Sequence, residues 1–489
     1  MSGERSNKFA VYIAIGKLLA MAAQFVMPMF LTRFLTKADY GLYAQFYLAL
    51  NFLGAILCFG IPSNLFYFYE KKHGIEQTQV VWNTFIATII MGFIGVTILF
   101  IPAIGEYFLG QNLYQYLLIF TICLFFFIPS HIINTLPIVR KDKITTTLFP
   151  PSDIILKIIL VIAFALIFRT IKSIFIAISI LQVVIVIFLF FYINQHFPIT
   201  RSLISSSILK EQLAYSLPFG IAVALNTICA RIDKLVCISY LTVEEYATYS
   251  IAFFGIPGIM QIYDSICQVN VQNMASVKET DSASIIQIYK SFVVKTLSFS
   301  LPIILIVFLF SEQIIEFLFT NKYLDATPYF QSYILTFIVG MLGSGTILRA
   351  IGKTRYSMYA YLASAIICIP FTYILIINYG INGAIISAMI NVMLPKMLQI
   401  AIEMRLLKTP FRKYFPLKNV AKILIASIIP IIPIVIIPML TKLSIIHCIL
   451  LGIIYICIVY YFEIRNNIFL IDRNSLTKIF DKFRNRVVK

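Results

Sequence analysis

Residues 214–250 read AYSLPFGIAVALNTICARIDKLVCISYLTVEEYATYS, and this stretch decides the fold. Most of it is apolar enough to cross a bilayer, yet it holds Arg231, Asp233 and Lys234. At about 100° per residue, Ser216, Gly220, Ala224, Thr227, Arg231 and Lys234 share one narrow helical face. A charge at the centre of a bilayer costs at least about 2.5 kcal/mol, so a small, polar stripe ending in two cations belongs toward a bundle interior or a wet cavity.

The same stretch ends in an internal repeat. Leu241, Thr242, Glu245, Tyr246 and Tyr249 match Leu35, Thr36, Asp39, Tyr40 and Tyr43 at an offset of 206 residues. In both copies the match joins the end of one apolar segment to the start of the next. The chain therefore reads as two related halves.

Working outward, 60% of the 489 residues are hydrophobic and 12% charged, with a mean hydropathy of +0.92. Soluble domains carry about 25% charged residues, so this is a polytopic membrane protein. Recurrent apolar segments of about 20 residues select helices over a β-barrel. Fourteen spans are predicted, at about 9–35, 41–69, 80–102, 113–137, 148–168, 173–194, 212–240, 245–270, 289–310, 328–350, 356–378, 382–404, 420–440 and 444–463. Lys17 interrupts the first apolar run, which continues to Phe34; it is expected to be an uncleaved span rather than a signal peptide.

With the N-terminus in the cytoplasm, 27 Lys and Arg fall in cytoplasmic segments and six on the opposite side. That bias places both termini inside. It also accounts for the net charge of +18 without invoking nucleic acid. Six spans separate the repeats, an even number, so the halves have the same orientation and are related by a pseudo-two-fold along the membrane normal. The expected organisation is an all-α N-lobe over 1–200 and C-lobe over 201–410, spans 13 and 14 over 411–464, and a basic cytoplasmic tail over 465–489 that lies on the anionic membrane surface.

No Walker A loop, carboxylate pair or catalytic triad is present, and no large extramembrane segment stands ready to hold one. The four histidines are scattered and the eight cysteines lie singly in apolar segments, so neither a metal nor a cofactor is expected. The chain reads as a transporter rather than an enzyme. Span 1 carries Lys17 and Gln24 on one face; span 8 carries Gln261, Asp264, Ser265, Gln268 and Gln272 at helical spacing. Two readings stand for Lys157, an ion pair with Asp153 one turn earlier or a charge offered to the interior. Two likewise stand for Arg231, a pair with Asp233 or a cavity cation. Glu403 reads as interfacial, and Lys295 as snorkelling to the cytosolic surface.

The pattern LTRFLTKADYGLYAQF over 31–46, followed by a second span bearing Phe59-Gly60-Ile61-Pro62, resembles bacterial polysaccharide-repeat flippases. These belong to the multidrug/oligosaccharidyl-lipid/polysaccharide exporter superfamily. The resemblance implies two six-helix lobes and alternating access in the bacterial cytoplasmic membrane. It implies export of undecaprenyl-diphosphate-linked oligosaccharides for O-antigen, capsule or a similar polymer, alongside polymerases and glycosyltransferases. Drug exporters of the superfamily favour acidic cavities for organic cations; here cations outnumber acids within the spans, which points to an anionic substrate. A diphosphate head needs a polar path through about 30 Å of hydrocarbon, while its polyprenyl tail stays in lipid. On this reading Lys17, Arg231 and Lys234 take the diphosphate by charge-assisted hydrogen bonds. Gln24, Asn51 and Gln268 meet sugar hydroxyls, and Asp233 or Asp264 exchanges the coupling ion. The alternatives are a small-molecule exporter of the same fold and a membrane scaffold for a glycan assembly complex.

Overall fold

The computed structural model describes residues 26–199, 204–255, 259–278, 281–440 and 444–466. The described residues form helices and the turns between them. In order these are α1 (Val26–Phe34), α2 (Lys37–Cys58), α3 (Leu65–Lys71), α4 (Ile75–Leu99), α5 (Pro102–Tyr114), α6 (Leu117–Ser130), α7 (Leu136–Val139), α8 (Lys143–Phe168), α9 (Ile171–His196) and α10 (Ser206–Tyr240). There follow α11 (Val243–Ala252), α12 (Ile259–Ala275), α13 (Ser282–Leu309), α14 (Ser311–Phe319), α15 (Thr327–Gly340), α16 (Thr346–Ala350), α17 (Thr354–Leu406), α18 (Phe411–Tyr414), α19 (Leu417–Leu440) and α20 (Ile445–Arg465). Among the described residues, nine helices are long and apolar enough to cross a membrane. Their outer faces are greasy, as lipid contact requires: Ile167 is 70% exposed and Ile366 75%. The 53-residue α17 contains two of the predicted spans; it turns at Gly380, whose φ of 54° is open to glycine at little cost.

The repeat recurs atom by atom. Thr36 caps α2, accepting from the Asp39 N–H at 3.0 Å and donating to the Asp39 carboxylate at 2.7 Å. Thr242 precedes α11 in the same way, accepting from the Glu245 N–H at 3.2 Å and donating to its carboxylate at 3.0 Å. In each the third residue of the helix accepts in return from the cap threonine, and in the second copy the Thr242 N–H also donates to the Glu245 carboxylate at 2.9 Å, which completes a capping box. The tyrosine pairs agree as well. Tyr40 and Tyr43 have ring centroids 6.1 Å apart at 35°, and Tyr246 and Tyr249 lie 6.2 Å apart at 38°. The two copies touch, because a Cβ on Gly41 would come within 2.1 Å of the Val243 carbonyl oxygen.

Two compact units are distinguished. The first comprises the described residues of Met1–Ser250 with Ile369–Ser387, and the second those of Ile251–Cys368 with Ala388–Lys489. In the first, α4, α6 and α9 pack around Trp82, Phe85, Ile133, Leu181 and Leu189, and the Trp82 indole N–H donates to the Phe197 carbonyl at 2.9 Å. The repeat puts α10 at the head of the second half of the chain; in space it packs within the first unit, against α2, α4 and α5. In the second unit α19 and α20 pack on α13 through Ile306, Phe310, Ile434, Cys448, Tyr455 and Val459. Spans 13 and 14 are thus seated on span 9. The Tyr455 hydroxyl fastens α20 to α19 by donating to the Ser427 carbonyl at 2.8 Å.

Candidate functional site

The stripe on α10 faces the interior, as its composition requires, but its first half is closed by protein. Ser216 is buried and accepts from the Asn64 amide at 3.3 Å. Gly220 lies against the turn at Phe59, where a Cβ would stand 2.5 Å from the carbonyl oxygen. That turn is built from successive left-handed residues, Phe59 (φ 48°) and Gly60 (φ 68°). One turn before Ser216, the buried Gln212 amide donates to the Val80 carbonyl at 3.1 Å, the Thr84 hydroxyl at 3.0 Å and the Asn64 amide oxygen at 3.3 Å. The sequence reading missed this network; its only signal was the position of Gln212 on the stripe, four residues before Ser216.

The second half of α10 carries the charges. Asp233 is buried and accepts the Tyr249 hydroxyl at 2.5 Å, a bond made by the second tyrosine of the repeat. Arg231 and Asp233 are two residues apart, which is about 200° around a helix, so their side chains leave on opposite faces. Accordingly, no ion pair joins them among those of the described residues. Of the two readings for Arg231, pairing with Asp233 is the one the geometry disfavours. Lys234 shares the face of Arg231, one turn on, and both are half-buried.

On the N-terminal side Lys157 of α8 does not pair with Asp153. Its ammonium sits 4.0 Å above the Tyr47 ring of α2, and one oxygen of the half-buried Asp153 meets no donor. A cation on an aromatic face is stabilised by about 0.5–2 kcal/mol without neutralisation. Tyr47 thus gives the Lys157 side chain an aromatic face in place of an ion-pair partner. Asn51, one turn beyond Tyr47, is half-buried and gives its amide to the Tyr47 carbonyl at 2.7 Å. Lys17 and Gln24 lie outside the described residues, as does the basic tail beyond residue 466. Asp264 and Gln268 belong to α12, with their side chains likewise outside the described set.

In the second unit Glu403 is not interfacial. It is fully buried, and its carboxylate accepts the N–H groups of Ile347 at 3.1 Å and Leu348 at 3.3 Å and the Tyr414 hydroxyl at 2.6 Å. The two N–H groups are unsatisfied donors of the first turn of α16, so the carboxylate serves as a cap supplied from another helix. Gly343 (φ 69°) and Gly345 (φ 76°) bring that turn to it. Lys295 is exposed, as a snorkelling lysine would be, and Lys396 is directed at Gly340, its ammonium 3.1 Å from where a Cβ would stand. Among the described residues no group of His, Cys, Asp and Glu is placed to hold a metal ion.

A multi-pass bundle of apolar helices with basic residues set among them defines a class, the polytopic membrane proteins. The comparisons narrow it. A family profile described as polysaccharide biosynthesis protein matches residues 30–328, more than half of the chain, and the chain belongs to that family. A second profile, MatE, matches residues 283–374. No curated protein matches the sequence. Among solved structures, the lipid II flippase MurJ in an inward closed conformation superposes with a TM-score of 0.68 at 16% identity, covering 94% of this chain and all of MurJ's. An inward-facing multidrug resistance MATE transporter of the MOP superfamily gives a TM-score of 0.59 at 15% identity, over 82% of this chain and 99% of its own. A MOP superfamily transporter from Pyrococcus furiosus, described by the reversed polarity of its binding pocket, gives 0.50 at 16% identity, over 83% of this chain and 96% of its own. The fold is thus the two-lobed fold of the MOP superfamily, as the sequence resemblance implies.

Proposed function

We propose that this protein is a flippase for undecaprenyl-diphosphate-linked oligosaccharide repeat units, carrying them from the cytoplasmic to the outer leaflet of the bacterial cytoplasmic membrane. The observation that carries the reading is the match to the polysaccharide biosynthesis family over residues 30–328. It is supported by the basic residues Lys157 and Arg231 within the helices, neither of which is ion-paired with the acid nearest to it in sequence. An anionic diphosphate is the head group such residues suit, and arginine grips it with a planar fork. Lys17, Arg231 and Lys234 are assigned to the diphosphate, with Lys157 added to them. Gln24, Asn51 and Gln268 are assigned to sugar hydroxyls, and Asp233 or Asp264 to ion coupling. The two lobes, 1–200 and 201–410, alternate access, and both termini face the cytoplasm, where polymerases and glycosyltransferases are the expected partners. The MatE match over 283–374 favours a second reading, a small-molecule exporter.

The test is a deletion strain scored for surface glycan and for accumulated lipid-linked repeat units, complemented with variants at normal membrane abundance. Arg231→Ala and Lys17→Ala are expected to weaken head-group capture by about 1.5–3 kcal/mol each, the value of one charged hydrogen bond. Arg231→Lys should retain more function than Arg231→Ala and less than wild type. Normal glycan output from the Lys17→Ala, Arg231→Ala double variant would overturn the cationic mechanism.

A further inference from the structure

Among the described residues the second unit holds two fully buried glutamates, and they could hardly be treated more differently. Glu403 has a cradle of three donors. Glu463, two residues before the end of α20, is 0% exposed, and neither of its carboxylate oxygens meets a donor among the described residues. Its neighbour across the interface is Ser298 of α13, also 0% exposed, whose hydroxyl is likewise unsatisfied. The other polar groups around it are committed or turned away. The hydroxyls of Tyr455 and Tyr460 on α20 donate to the carbonyls of Ser427 and Phe299, at 2.8 and 3.1 Å. Lys295 on α13, Lys418 and Lys422 on α19, and Glu312 and Glu316 on α14 are all exposed.

An ionised carboxylate shut away from water with no cation and only the Ser298 hydroxyl beside it is among the costlier arrangements a protein can hold. Protonation removes the charge. It also supplies an O–H that the Ser298 oxygen can accept, while the Ser298 hydroxyl can donate to the remaining carboxyl oxygen. One proton thus satisfies both residues. A hard metal cation is a poor fit, since such ions gather about six to eight oxygens and this site offers three.

We propose that Glu463, with Ser298, is a proton-binding site between spans 9 and 14, and that it loads and releases the proton coupled to transport. The use of the proton rests on the transporter reading above; the site itself does not. Under the inside-positive topology Glu463 lies near the cytoplasmic end of α20, which gives the proton a short way to the cytosol.

Dicyclohexylcarbodiimide tests the site on the full-length protein without any transport assay. A protonated acid adds across one C=N bond of the reagent, its proton going to nitrogen and its oxygen to carbon. Acyl transfer to nitrogen then leaves an N-acylurea carrying the whole reagent. Peptide mapping should find Glu463 labelled at mildly acidic pH, with labelling lost as pH rises, and Glu403 unlabelled. Ser298→Ala should shift the pH of half-labelling. In parallel, the infrared C=O stretch of a protonated carboxylic acid should be present in wild type and reduced in Glu463→Gln, a neutral isostere. Absence of both the label and the infrared difference would show an ionised carboxylate and overturn the site. Protection of Glu463 by sodium would overturn the proton assignment in favour of a cation. In proteoliposomes an imposed pH gradient should accelerate wild-type transport of lipid-linked oligosaccharide, and Glu463→Gln should lose that acceleration. A labelled Glu463 whose replacement leaves the acceleration intact would refute coupling alone. A wild type that moves no such substrate would refute the oligosaccharide-flippase reading and leave the site standing.

Discussion

Replacing Glu403 should loosen α16 and Tyr414 from α17, and the size of the effect follows from its partners. The carboxylate closes three bonds, to the N–H groups of Ile347 and Leu348 and to the hydroxyl of Tyr414. Each buried donor left without an acceptor costs about 1–3 kcal/mol. Glu403→Ala strands three, so about 3–9 kcal/mol is at stake before any cavity is counted. That compares with a total stability of about 5–15 kcal/mol for typical domains, so the alanine variant should be severely compromised. Glu403→Gln keeps one acceptor oxygen and should lose about 1–3 kcal/mol, as should Tyr414→Phe, which removes a single charge-assisted bond. The two changes share that bond, so the double variant should cost less than their sum. Thermal unfolding in detergent, followed with a thiol-reactive fluorophore, reads this directly, because Cys267, Cys368 and Cys448 are buried in this unit and not in disulfides. Wild-type melting of Glu403→Ala, or strict additivity of Glu403→Gln and Tyr414→Phe, would refute the capping role.

Gly220→Ala should lower the yield of folded protein, since the new methyl meets the Phe59 backbone oxygen at 2.5 Å and overpacking costs about 1–3 kcal/mol. Gly255→Ala, with nothing within 4 Å among the described residues, is the control and should be expressed normally. Asp142 caps α8 from outside the membrane. Partial burial would raise its pKa, but bonds from the Thr145 and Tyr192 hydroxyls and from the Thr145 and Ile144 N–H groups hold it below its ordinary 3.8. Its contribution is therefore complete above pH 3.8 and lost as pH falls through the lower folded value; acid melts of Asp142→Asn should be flatter, and an unchanged slope would contradict this. Finally, single cysteines beside Lys141 and Arg355 should react only from the cytoplasm, and those beside Gly110 and Asn321 only from outside. Reversal at any two sites would sink the proposed topology.

Membrane residence, helical class and the internal repeat were all written in local patterns. Thr36-x-x-Asp39 and Thr242-x-x-Glu245 form their caps within one turn of helix, so a linear reading suffices to find them. The stripe on α10 was legible for the same reason, because a 3.6-residue period says which side chains share a face. What it does not say is which element covers that face. Gln212 meets Asn64 from 148 residues away, and Ser216 meets the same side chain, so half of an apparent cavity lining is a packed seam. Glu403 read as interfacial because charge near a helix end usually snorkels; only the return of residues 343–348 and Tyr414 makes it a buried cap. Asp233 sat beside two cations in the sequence, yet helical geometry turned it from Arg231 toward Tyr249. Glu463 carried no signal at all, since its burial against Ser298 depends on where α20 docks on α13. Periodicity and caps are decided within a few residues of chain, whereas the fate of a charge in a membrane protein depends on the neighbour that folding brings to it.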